Sequence, residues 1–226
     1  MIALTVQSGG GSSALTFTPT KLIIAGWTGR DVAALEAHIL ELEELGIARP
    51  KSVPVFYRVS TTLLTTAPVV EMVAREASGE VEAVLWKQDG ELYVGVGSDH
   101  TDRKLEAIGI TLSKQLCAKP VSPVVWRWAD VAGHWDDMLL RSRLPRTGEA
   151  YQDGATADQR RPDELLALYE TREGPVPDGT VMFCGTFAAI GGIRFAEEMT
   201  LELIDPVLDR SIRHSYAVDV LPVAEE

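Results

Sequence analysis

The amino-acid sequence predicts a β-rich α+β fold, and three observations carry that prediction. Short runs rich in β-branched and aromatic residues, bounded by glycine, proline and Asp-Gly turns, recur along the chain. Few stretches repeat apolar residues at helical spacing. Strands and helices do not alternate as they do in a parallel βαβ fold. No repeat, low-complexity block or linker divides the 226 residues, so 1–226 reads as one domain.

Residues 2–6 and 14–17 read as a hairpin joined by Gly9-Gly10-Gly11-Ser12-Ser13. No Lys-Ser/Thr follows those glycines and no helix opens there, so they make a hairpin loop and not a phosphate cradle. Residues 21–25 form a third strand, broken by Gly26-Trp27-Thr28-Gly29. Asp31 caps a helix whose Val32, Leu35, Ile39, Leu42 and Leu45 recur at helical spacing; it stops near Gly46. A strand at 55–59 follows. Residues 80–86 and 91–96 flank Gln88-Asp89-Gly90, a hairpin signal. A helix is predicted over 101–117, with Leu105, Ile108, Leu112 and Leu116 on one stripe. Strands near 137–144, 180–184, 199–204 and 215–221 complete the set, with a helix over 162–169 opened by Pro162.

Composition excludes several function classes. With 21 basic and 33 acidic residues the net charge is −12, so neither nucleic acid nor an anionic membrane is an expected partner. No apolar run approaches the ~20 residues that cross a bilayer. Met1-Ile2-Ala3-Leu4-Thr5 lacks a positive leader region. Cys117 and Cys184 stand in unrelated contexts, which excludes a disulfide framework and a cysteine zinc site. The expected location is the cytoplasm.

Glu80 and Glu82 stand two apart in a predicted strand, so both carboxylates project to one face. Asp99 ends the partner strand, and the Asp89-Gly90 turn brings it to the same open hairpin mouth. Three hard oxygen donors there suit Mg²⁺ or Mn²⁺, with Ca²⁺ also possible; a solvated strand face and a helix-start carboxylate are the plainer readings. Arg103 and Glu106 follow at helical spacing toward that mouth, with Lys114 further on, which points to an anionic small molecule or to an exposed Arg–Glu pair. His38 and Glu41 lie three apart on the first helix, a spacing that can hold an imidazole basic enough to activate water, or place a boundary histidine beside a solvated glutamate.

Taken in order, these pieces resemble the fumarylacetoacetate hydrolase superfamily. Ile23-Ile24-Ala25-Gly26-Trp27, His38-Ile39-Leu40-Glu41 and Pro54-Val55-Phe56-Tyr57-Arg58 are similar to its opening segments, and Glu80-Val81-Glu82 to its metal-binding Glu-x-Glu strand. Gly97 through Glu106 resembles its Gly-Asn-Asp-x-x-x-Arg-Asp-x-Gln block, with Asp99 at the third ligand. Ser113-Lys114-Gln115, Ser122-Pro123, Gln152 through Thr156, Pro177 through Val181 and Cys184-Gly185-Thr186 continue the colinear likeness. Gly-Ser-Asp-His-Thr-Asp-Arg and His-Trp-Asp suggest a bacterial branch for which the superfamily supplies no named substrate. This chain departs in the short 17-residue interval from Glu82 to Asp99, in Glu106 for glutamine, in Arg58 for lysine and in the distance of His38 from Gly26.

The resemblance implies a mixed β-roll with few helices and a homodimer. It implies a metal-dependent enzyme acting on a small anionic 2-oxo or β-dicarbonyl carboxylate, with hydrolytic C–C cleavage of an acylpyruvate type first. Decarboxylation and keto–enol isomerisation run through the same enolate, and a catalytically silent binding or assembly protein could keep the fold. In this reading Glu80, Glu82 and Asp99 hold the ion. His38 with Glu41 activates water, and Arg103, Lys114, Thr186, Arg58 and Glu106 contact substrate. Residues 28–54 are the candidate lid.

Overall fold

The computed structural model describes residues 1–44 and 49–224, apart from the side chains of Ala34, His38 and residues 41–44. Strands β1 (Ile2–Ser8) and β2 (Gly11–Phe17) form the opening hairpin, and β3 (Lys21–Gly26) and β4 (Val55–Val59) flank helix α1 (Val32–Glu44). Short strands β5 (Leu64–Thr65), β6 (Val69–Val73) and β7 (Ala77–Ser78) lead to the long hairpin of β8 (Val81–Gln88) and β9 (Glu91–Ser98). Next come β10 (Thr101–Asp102), α2 (Arg103–Glu106), α3 (Ile110–Leu116), β11 (Lys119–Pro120), β12 (Val124–Arg127) and α4 (Trp128–Val131). The chain ends with β13 (Leu139–Arg143), β14 (Ala150–Ala155), α5 (Pro162–Glu173), β15 (Thr180–Phe183), β16 (Glu198–Asp205) and β17 (Arg210–Leu221).

Two large sheets organise these strands. One runs β2-β1-β12-β9-β8-β15-β3-β4, the other β14-β13-β16-β17-β6, and β10 with β7 and β11 with β5 make two-stranded ribbons. Strand β8 is buried on both faces. Its Val81, Ala83 and Leu85 join a core shared with the second sheet (Leu140, Leu201, Tyr216), while Val84 and Trp86 join a cluster with Phe17, Leu22 and Phe183. Alternation therefore puts Glu82 on the Val84–Trp86 side, among apolar neighbours. Opposite it, Gly97 has no room for a side chain: a Cβ there would meet Val84, Val121 and Phe183 at about 3 Å.

The architecture is the β-rich α+β fold read from the sequence. The predicted helix over 101–117 needs correction: it is a two-residue strand and two helices separated at Ala107–Gly109. The Asp102 side chain accepts from the Leu105 amide and caps the first of them. The apolar stripe does not face the core; Ile108, Leu112 and Leu116 are 74%, 61% and 48% exposed, whereas Ser113 and Lys114 are buried. Strands β6, β12 and β14 escape the sequence reading, and α5 runs four residues past its predicted end. The predicted end of α1, with Leu45 and Gly46, lies outside the described residues.

Candidate active site

The hairpin register builds the site. Pairing of Val81 with Ser98 and Glu82 with Gly97 places Glu80 and Asp99 at the open end, where the Asp99 amide donates to the Glu80 carbonyl at 2.9 Å. One carboxylate oxygen from each of Glu80, Glu82 and Asp99 lies within 4.8 Å of the others. Glu80 is partly exposed; Glu82 and Asp99 are 2% and 0% exposed.

Three cations stand around these acids. Arg103 spends its guanidinium on Glu80 at 2.8 Å, Glu106 at 2.9 Å and the Ser78 hydroxyl at 2.6 Å. Lys114 contacts Asp99 directly, lies 3.2 Å from Thr101 Oγ1 and 3.6 Å from Glu80. Lys119, fully buried, donates to the carbonyls of His100 and Lys114 at 2.6 Å each, and its ammonium lies 3.0 Å from Asp99 Oδ1. That ion pair gives Asp99 Oδ1 a buried ammonium as its partner.

Burial drives the Glu82 carboxyl well above the usual carboxylate range, and Asp99 and Glu80 push the same way. Burial also opposes the Asp99 carboxylate, but Lys114 and Lys119 outweigh it and hold its pKa low. Burial would discharge Lys114; Asp99, Glu80 and Glu82 reverse that and keep it charged. A divalent ion fits this set. The donors are hard oxygens, one from each of three carboxylates lies within 4.8 Å of the others, and a dication would offset the burial and repulsion that raise the Glu82 pKa.

Above the acids a cavity of about 340 Å³ is lined by Trp27, Leu35, Tyr57, Ile110 and Thr186 as well as by Glu80, Glu82, Glu106 and Lys114. Trp27 sits at φ 60, a sparse conformation for a bulky residue, and donates a hydrogen bond to Tyr57. The loop carrying it is laced to a second loop: Thr28 Oγ1 donates to Gln159 Oε1 at 2.7 Å, and Gln159 Nε2 donates to the Thr186 carbonyl at 2.8 Å. Gly185, at φ +99, donates its amide to Glu82 at 2.6 Å.

The expected residues divide. Glu80, Glu82, Asp99, Lys114, Arg103 and Glu106 come together. Arg58 is exposed and lies outside the cavity, because alternation along β4 sends Tyr57 there instead. Thr186 lines the cavity, but its hydroxyl donates to the Val81 carbonyl at 2.7 Å and accepts from Gln152 at 2.7 Å. Its proton is committed to the scaffold. The side chains of His38 and Glu41 lie outside the described residues; the α1 backbone places His38 one turn beyond the cavity-lining Leu35. Sequence reasoning missed Lys119, Tyr57 and Gln152. A lysine set in the apolar stretch Cys117-Ala118-Lys119-Pro120-Val121 was the available signal for the first.

The family model described as "Protein of unknown function (DUF2848)" matches residues 25–216. No curated protein matches the chain. Among solved structures, a proposed fumarylpyruvate hydrolase from Burkholderia cenocepacia aligns at 18% identity and TM-score 0.68, covering 98% of this chain and 97% of that one. Yeast ynq8, a fumarylacetoacetate hydrolase family protein, aligns at 16% and 0.65, covering 91% and 95%. A 2-keto-3-deoxy-D-arabinonate dehydratase aligns at 19% and 0.64, covering 95% and 78%. At these identities the likeness establishes the fold.

Proposed function

From the premise that the chain belongs to the DUF2848 family and carries the fold of fumarylacetoacetate hydrolase family proteins, we propose a divalent-metal-dependent enzyme that cleaves a C–C bond in a small 2-oxo or β-dicarbonyl carboxylate. The observation that carries the proposal is the three-carboxylate cluster, of which Glu80 and Glu82 line the cavity, with a buried ammonium beside it. Glu80, Glu82 and Asp99 would hold Mg²⁺ or Mn²⁺, which supplies Lewis-acid stabilisation of the negative charge that develops on a 2-oxo acid.

The chain's own residues have separate tasks. Lys114, charged and at the cavity wall, pairs with the substrate carboxylate. Arg103 holds Glu80 and Glu106 in place. In this proposal His38, with Glu41, takes a proton from water as its oxygen adds to the acyl carbonyl. The C–C bond then breaks with its electron pair left on the 2-oxo fragment as an enolate, and the imidazolium returns the proton to carbon. The products are a carboxylic acid and a 2-oxo acid. A homodimer working in the cytoplasm belongs to the same proposal, on the family resemblance. The test is isothermal titration of Mn²⁺ into metal-stripped protein. Wild type is expected to bind one ion per chain and Glu82→Ala none.

One observation favours a second reading, a binding protein that needs no ion: Lys114 already neutralises part of the cluster. Absence of Mn²⁺ binding to both proteins would select it.

A further inference from the structure

The cavity lining has two chemically different parts. Glu80, Glu82, Glu106 and Lys114 line one part of it, backed by Asp99, Arg103 and Lys119; with Glu82 ionised, as ion binding requires, the four acids set four negative charges against three positive. A dication turns that excess of one negative charge into an excess of one positive, which a single substrate carboxylate neutralises. Elsewhere in the lining, Trp27, Leu35 and Ile110 supply apolar surface and Tyr57 a neutral hydroxyl. Among the described lining residues Lys114 is the sole base, and it is engaged with those acids. The neighbouring arginines are committed elsewhere: Arg103 to Glu80 and Glu106, and Arg30 to both oxygens of Asp136 at 2.7 and 2.9 Å. A second carboxylate at the far end of a substrate would be desolvated against apolar side chains, with no further cation among the described lining residues to pair.

We infer that the pocket selects monoanionic 2-oxo acids with an uncharged, apolar or aromatic tail and rejects diacids, with Trp27, Leu35 and Ile110 as the specificity-determining residues. The inference rests on the metal-dependent 2-oxo-acid reading and deepens it.

Two unreactive ligands of equal chain length isolate the effect, 2-oxohexanoate and 2-oxoadipate, titrated into the Mn²⁺-loaded protein by calorimetry. The monoacid is expected to bind at least tenfold more tightly. Leu35→Arg, or Ile110→Arg where the first variant fails to fold, supplies the missing cation and is expected to erase or reverse that ratio. Equal or tighter binding of the diacid by wild type overturns the specificity while leaving the 2-oxo-acid reading intact. Failure of both ligands to bind Mn²⁺-loaded protein overturns both. A ratio that neither variant moves overturns the assignment to these residues. Cleavage of benzoylpyruvate in preference to fumarylpyruvate, by at least tenfold in kcat/KM, would extend the result to turnover.

Discussion

Glu82 shows how one residue type acquires a task from its surroundings. The Glu-x-Glu spacing is legible in the sequence because a strand repeats every two residues. Its burial is not legible, since that depends on Gly97, Val84 and Phe183 closing around it. Burial, then Asp99 and Glu80, raise its pKa, so an entering ion must displace a proton. Mn²⁺ affinity should therefore strengthen as pH rises and fade as pH falls through the raised pKa of Glu82. Titrations across a pH series read this directly; a flat profile would mean that Glu82 is ionised without the ion. Arg58 and Tyr57 teach the complementary lesson. Both are plausible site residues in a sequence, and the parity of β4 alone decides that Tyr57 reaches the cavity.

At the scale of elements, α2 and α3 contradict their own apolar pattern. A core-facing stripe would make Leu112→Ala cost about 2–5 kcal/mol. With Leu112 61% exposed, Leu112→Gln should instead leave the urea midpoint within about 0.5 kcal/mol of wild type. The physical cause is electrostatic: the opposite face carries Lys114, and its attraction to Asp99 and Glu80 turns that face inward. The loop at Gly185 is fixed as tightly. A Cβ there would fall 1.7 Å from Thr28 Oγ1 and the backbone stands at φ +99, so Gly185→Ala should lose roughly 1–3 kcal/mol of stability. Because the Gly185 amide also holds Glu82, the same variant should weaken Mn²⁺ binding.

Across the whole molecule the two sheets are joined through His100, which follows β9 and bonds Tyr216 on β17 at 2.7 Å. Burial, with Lys119 adding to it, lowers the His100 pKa to about 3. The unfolded chain, with an ordinary histidine near 6.5, then binds more protons between those two values. The His100 contribution is present in full above about pH 6.5 and is lost as pH falls toward 3, at up to about 1.4 kcal/mol per pH unit. Urea midpoints at pH 7 and 5 should separate more for wild type than for His100→Asn. Among the described residues no helix is long and apolar enough to cross a membrane.

The sequence by itself determined the β-rich class, the long hairpin and the spacing of Glu80, Glu82 and Asp99, because these follow from local periodicity and turn chemistry. Only the tertiary structure decided which face of α3 turns inward, that Arg103 is committed to Glu80 and Glu106, and that Lys119 lies beneath Asp99. Those outcomes depend on charges brought together from distant positions in a low-dielectric interior, where pairing outweighs local pattern.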